Sequence, residues 1–252
     1  MNERFLIRSL QGLVFVGFLL VWELGGAWRW WDPTWTSSPV RVAQAFAESL
    51  ADGQILRHTG VTLTESFAGL LAGAAVGVLL GVLLGLSRVL GAVMEPFVIA
   101  LNSLPRVALA PLIVMYVGIG FMSKFLLSFS LVVVPMMLGT YEGIRAADPI
   151  WLQSMQVLRA NRVQVFFKVL LPSCVPWMFS GLRVSISLAI VGAIVGEFIS
   201  ARAGIGFMID EAAGGFDSTR MLMPLIVLTL LAFVLDRLVL AASTRLLRWR
   251  EG

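Results

Sequence analysis

The chain has 252 residues, of which 58% are hydrophobic and 13% charged, with a net charge of +4 and a mean hydropathy of +0.90. Soluble domains carry about a quarter of their residues charged, so this composition places the chain in lipid as one embedded domain. A single cysteine, Cys174, and a single histidine, His58, exclude an internal disulfide and a Cys/His metal centre, and the positive charge is read as a topology signal rather than a sign of nucleic acid.

In chain order, six membrane-spanning helices are predicted, each judged against the ~20 apolar residues that cross a bilayer core. The first covers residues 10–28, with Trp28, Trp30 and Trp31 as interface anchors; no Ala-x-Ala site follows its charged start, so it reads as a retained helix and not a signal peptide. Residues 32–59 form an outer loop that holds His58, and Ser38-Pro39 opens an amphipathic surface helix within it. The second span, 66–87, carries no charge, and Gly69, Gly73, Gly77, Gly81 and Gly85 recur along it at every fourth position. Such a smooth stripe admits a closely packed neighbour, so it is read as a packing surface, with a hinge as the alternative. The third span covers 94–117, the fourth 124–141, the fifth 175–199 and the sixth 222–242.

An even number of spans puts both termini on one side. Arg4, Arg8, Arg88, Arg145, Arg159, Arg162, Lys168, Arg245, Arg248 and Arg250 fall on that side, which the positive-inside rule makes cytoplasmic. The other side holds Arg29, Arg41, Arg57, Arg202 and Arg220, balanced by acids such as Asp32, Glu48, Asp52 and Asp217. Charges within spans mark a path or a pair, because an ion in hydrocarbon costs a few kcal/mol. Asn102, Arg106, Arg183 and Glu197 are the path candidates; Arg106, after Leu104-Pro105, reads equally as a kink anchor, and Glu197 as half of a pair with an arginine. Glu142 and Asp236 are expected near cytoplasmic helix ends, where they snorkel or pair with Arg145 and Arg237.

The polar interval 142–172 separates the fourth and fifth spans. Asp148 followed by Pro149 is a helix start, and the segment that follows, PIWLQSMQVLRAN, mixes apolar and polar residues too closely to cross lipid. A short cytoplasmic amphipathic helix over 149–161 is predicted, and Val169-Leu170-Leu171-Pro172 closes the interval.

This interval resembles the signature of ABC importer permeases, which runs Glu-Ala-Ala, three residues, Gly, nine residues, Ile, one residue, Leu-Pro. Gln153, Ser154 and Met155 stand at the Glu-Ala-Ala positions, Arg159 at the glycine, and Val169, Leu171 and Pro172 at the Ile and Leu-Pro positions, so the frame is kept while several letters differ. NSLPRVALAPLIVMYVGIGFMSKFLL at 102–127 and VGEFISARAGIGFMI at 195–209 are similar to the sulfonate, taurine and nitrate branch of those permeases. The resemblance implies an all-α type I importer fold of six transmembrane helices, with a cytoplasmic coupling helix between the fourth and fifth. It further implies a bacterial inner-membrane location, two copies of the permease and two separate ATPase subunits that bind ATP and Mg. A periplasmic binding protein, received in part by the 32–59 loop, would deliver a small anion. Met155, Leu158 and Ala160 would fill a groove of the ATPase, with Gln153 and Arg159 at its rim.

The chain itself has no Gly-x-x-x-x-Gly-Lys-Ser/Thr loop, no Gly-x-Ser-x-Gly elbow and no His-Glu-x-x-His helix, so no catalytic site is expected in it. The competing class, a self-sufficient secondary transporter or channel, calls for paired intramembrane carboxylates, inverted repeats or a filter, and none is legible in the sequence. A purely structural scaffold leaves the coupling frame unexplained.

Overall fold

The computed structural model describes residues 3–28 and 30–246. Arg29, Arg248 and Arg250 of the charge pattern lie outside the described residues, and of Arg4 only the backbone is described. Every regular element among the described residues is helical, as lipid demands, since a spanning segment must satisfy its backbone internally.

Helix α1 (Glu3–Ala27) is apolar through its middle, from Leu13 to Trp22, and touches the rest of the chain mainly toward its end, where Trp22 Nε1 donates to the Thr36 carbonyl at 3.1 Å. A single turn, α2 (Pro33–Thr36), leads to α3 (Pro39–Ala51), whose cap Ser38 accepts from Arg41 N–H and whose Val42 is buried with Ile55 and Met223. Gly53 then takes a left-handed conformation, φ 71°, and α4 runs from Gln54 to Leu86, 33 residues and therefore roughly 50 Å long. The second span thus begins twelve residues ahead of the predicted 66–87, and His58, expected in an outer loop, lies inside the helix. Hydropathy hides this first third because it carries Arg57, His58, Thr62 and Glu65; the last two are buried against the protein, not lipid.

The glycine stripe decides the core. Ideal Cβ atoms placed on Gly69, Gly73, Gly77, Gly81 and Gly85 would collide in turn with Ser128, Val132, Met136, Thr140 and Ile144 of α7 (Phe121–Arg145). Both rows advance by four residues in the same direction, so α4 and α7 are parallel and interlock along their i, i+4 ridges. At Gly77 the added atom would stand 2.6 Å from the Val133 carbonyl, a contact with backbone that no rotamer can relieve.

Because α4 and α7 are parallel, the chain must recross between them. It does so in two pieces, α5 (Arg88–Ser103) and α6 (Ala110–Val117), bent by 73° across Pro105 and the 3-10 turn Arg106–Leu109. The predicted third span, 94–117, was drawn as one helix; Pro105 removes a donor and breaks it. Among the described residues, five helices are long and apolar enough to cross alone, six with this bent pair.

After α7 come α8 (Pro149–Val157) and α9 (Arg162–Val165), a π-turn over Phe166–Leu170, and α10 (Leu171–Ser200). Pro172 does not stop the chain: the Leu171 N–H reaches back five residues to Phe166 O, and this wider turn absorbs the proline so that helix continues into the fifth span. Helix α10 runs antiparallel to α7, with Gly143 against Cys174 and Gly192 against Ser128. Leu70, Val132, Met136, Ile186, Ala189, Ile190 and Ile194 close the centre where α4, α7 and α10 meet. A re-entering helix α11 (Ile205–Gly214) and the long α12 (Ser218–Leu246) complete the chain.

Gly77→Ala is expected to lower the unfolding free energy in detergent by about 1–3 kcal/mol through overpacking. Gly12→Ala, whose added Cβ meets nothing within 4 Å, should be neutral or slightly stabilising. Denaturation followed by circular dichroism separates the two.

Candidate functional site

The polar interval folds as a helix, a reversal and a second helical turn. Asp148 Oδ1 accepts from Ile150 N–H at 2.8 Å and Pro149 occupies the first turn, so α8 starts where the sequence places it. It ends four residues short of the predicted 161, at Val157. Ala160 N–H closes back on Met155 O at 2.9 Å, Arg159 adopts φ 50°, and Asn161 with Gln164 forms a reciprocal capping box that restarts the helix. Leu158, Arg159 and Ala160 therefore form the reversal and not a helical face. Arg159 stands where the resembled frame has glycine, and left-handed backbone is the reason a glycine suits that position. An L side chain there costs on the order of 1 kcal/mol.

This segment presents apolar surface that nothing among the described residues covers. Ile150, Trp151, Val157 and Leu158 are 63–83% exposed beside the exposed Gln153, Ser154 and Arg159, while Met155 and Ala160 are half-buried. Trp151 and Val157 were not singled out by the sequence; apolar residues exposed on a polar helix are the signal that marks them. Val169 is buried, and Leu171 and Pro172 are half-buried at the join to α10. The seam between interval and span is thereby fixed.

The path candidates separate into three environments. Arg106 donates to Ser130 O of α7 at 2.7 Å and to Asn102 Oδ1 at 3.2 Å, so both residues brace the break in the third span. Arg183 makes a side-on pair with Asp236, Nε to Oδ1 at 2.8 Å and Nη2 to Oδ2 at 3.0 Å. This corrects the expected pairing of Asp236 with Arg237: neighbours in sequence point apart on a helix, and Arg237 instead lies over the Phe233 ring. Arg145 likewise donates to Tyr141 Oη and not to Glu142.

Glu197 has no arginine partner among the described residues. It is 2% exposed and accepts from Thr62 Oγ1 at 2.7 Å and from Gly206 N–H at 2.5 Å, with Glu65 and Lys124 as its charged neighbours. Thr62 Oγ1 accepts in turn from Ile205 N–H at 2.8 Å, and His58 Nδ1 from Gly204 N–H at 2.9 Å. A Cβ on Gly204 would overlap the Glu197 carboxyl, so the Gly-Ile-Gly of the 195–209 block is small because the acid occupies the space. The sequence reading found no paired intramembrane carboxylates, yet Glu65 and Glu197 are one. Glu65 was hidden in the polar start of α4, and Lys124, read as a helix end, is 4% exposed. The cluster is closed over by α4, α7, α10 and the turn before α11, and ties these elements together at the end of the bundle opposite α8.

A family model described as "Binding-protein-dependent transport system inner membrane component" matches residues 73–248. The chain is 34% identical to a riboflavin transport system permease protein of Chloroflexus aurantiacus, over 98% of this chain and 95% of that one. It is 26% identical to a formylaminopyrimidine transport permease protein of Halalkalibacterium halodurans over 97% and 98%, and 27% identical to a taurine transport system permease protein of Escherichia coli over 92% and 86%. In fold it is similar to a chain of the MetNI methionine ABC transporter in an inward-facing conformation, with a TM-score of 0.66 at 20% identity over 77% of this chain and 95% of that one. An amino acid ABC transporter gives 0.58 at 16% identity, over 80% and 96%.

Thr62→Val removes one hydroxyl that serves both Glu197 and Ile205. It is expected to destabilise the purified protein by roughly 2–4 kcal/mol, by stranding a buried acceptor and a buried donor. Thr62→Ser should recover most of the loss, read as thermal unfolding in detergent.

Proposed function

This chain belongs to the family of inner-membrane components of binding-protein-dependent transport systems, and on that premise we propose how its parts serve transport. It is a non-catalytic, multi-pass permease subunit of an ABC importer. ATP and Mg belong to separate ATPase subunits; this chain contributes the membrane path and the contact through which the ATPases move it.

The observation that carries this reading is the uncovered apolar surface of the 149–160 segment, set on a reversal that Arg159 and the Asn161 cap hold in one shape. The surface fits a groove of the ATPase, as the resemblance implies, with Leu158 and Trp151 as its apolar content and Gln153 and Arg159 at the rim. The π-turn and Pro172 join the segment to α10 without a flexible loop. Closure of the ATPases on ATP then shifts α10 and α7 as one body. Two copies of the chain, related by a twofold axis, enclose the path, and both termini face the cytoplasm.

A binding protein delivers the solute at the other end, where α3, the start of α4 and α11 border a cleft of about 720 Å³ that holds Glu48, Arg57, Arg202 and Arg220. The solute we favour is a small anion, such as a sulfonate, taurine or nitrate, because Arg183 presents a basic side chain on an open face within the spans. Arg106 and Asn102 support the path by holding the break in the third span. Glu197 keeps α11 in register and does not contact the solute.

Affinity purification of the tagged chain from its native membranes in mild detergent is expected to recover a P-loop ATPase, and Leu158→Asp with Arg159→Asp to lose it. Recovery of the folded chain alone would instead favour a self-sufficient transporter. Arg159→Gly should retain the ATPase and stabilise the chain by about 1 kcal/mol, since it relieves left-handed strain.

A further inference from the structure

Helix α10 has a face that no other helix among the described residues covers. Its exposed positions recur at three- and four-residue steps from Trp177 to Val191, and midway along it Ser180, Arg183 and Ser187 replace apolar residues. Asp236 of α12 reaches the same face. The side chains of Arg183 and Asp236 are 41% and 34% exposed, far from either helix end. Ions so placed do not face hydrocarbon, where each costs at least ~2.5 kcal/mol. Together with Val184 and Leu188, the polar residues surround an open concavity of about 480 Å³, a hollow that a flat helix contact would leave unfilled.

The pair is half used. A guanidinium has five N–H donors, and Asp236 takes the edge formed by Nε and Nη2. The opposite edge has no acceptor among the described residues, and the Ser180 and Ser187 hydroxyls lie one helical turn to either side of it. Such an edge matches the oxygens of a sulfonate or carboxylate in a planar, two-bond contact.

We propose that the free edge of Arg183, flanked by Ser180 and Ser187, is an anion-contact site within the translocation path, and that Asp236 is the counter-ion that keeps this contact weak. The proposal rests on the reading of the chain as an importer permease. A lone arginine in a low-dielectric path would trap an anion; conduction needs a contact favourable enough to enter and weak enough to leave. Asp236 holds the guanidinium flat with one edge outward and repels the bound anion from the far side.

The test uses the assembled transporter in native membranes, with Cys174→Ser removing the buried cysteine and Ser187→Cys placing a reporter beside Arg183. Its modification rates by the anionic sulfonatoethyl and the cationic trimethylammonioethyl methanethiosulfonates are compared. Both reagents should react. Asp236→Asn should raise the anionic-to-cationic ratio about tenfold and Arg183→Gln lower it about tenfold, a change of ~1.4 kcal/mol in the difference between the two oppositely charged reagents. The double variant Arg183→Gln with Asp236→Asn, which leaves no stranded ion, should restore the parental ratio. Millimolar ethanesulfonate should slow the anionic reagent, most of all in Asp236→Asn.

An unreactive Ser187→Cys would overturn the proposal, because the face would then be covered or in lipid. A disulfide between two Ser187→Cys copies would overturn it in favour of a copy-to-copy contact, and a ratio unmoved by either charge change would also end it. Co-purification of the ATPase, scored on the same samples, reports separately on the importer reading.

Discussion

The close parallel contact of α4 with α7 is the constraint on which the rest of the structure depends. Hydrophobic burial does not drive helices together where the solvent is itself apolar, so association rests on surface fit. Five glycines at four-residue spacing let the α7 ridge from Ser128 to Ile144 settle against the α4 backbone. Once those two helices are parallel, the topology of the middle of the chain follows. The segment between them must recross, and it does so although Pro105 breaks it; Arg106, bonded to Ser130 O, holds the broken span against α7.

Helix α7 is then enclosed on two sides, by α4 and by the antiparallel α10, and the chain places different chemistry at the two ends of that column. At one end the Asp148 cap, the left-handed Arg159 and the Asn161–Gln164 box shape a small exposed segment with little buried surface of its own. At the other, Glu197 collects donors from Thr62 and Gly206 and fixes α11 to α4 and α10. Backbone-to-side-chain hydrogen bonds give both ends their shape, because each is a place where a helix stops and its orphan groups need partners. Between them the contacts are apolar and close-packed, which suits a body that moves as a unit.

The polar residues within the spans divide by what surrounds them, and no count of charges could have made that division. Arg106 is spent on a backbone carbonyl, Glu197 on a closed network, and Arg183 on a carboxylate that leaves half of its donors open. Asp236, assigned from sequence to its neighbour Arg237, pairs instead with Arg183, 53 positions away in the chain.

What the sequence by itself determined is everything written in local or periodic form. Hydropathy gave the spans, Asp148-Pro149 the start of the polar helix, the fourth-position glycines a packing stripe, and the coupling frame the family. What only the tertiary structure decided is where polar residues find partners. The first third of α4 looks like a loop until Thr62 and Glu65 are seen buried against α10 and α7, because hydropathy cannot tell a charge left in water from one enclosed by protein. The same holds for the Pro172 join, where a wider helical turn decides between an end and a redirection into the next helix, and for the Arg183–Asp236 pair. Long-range pairing depends on the angle and register at which helices meet, and here those are set by the α4–α7 and α7–α10 contacts.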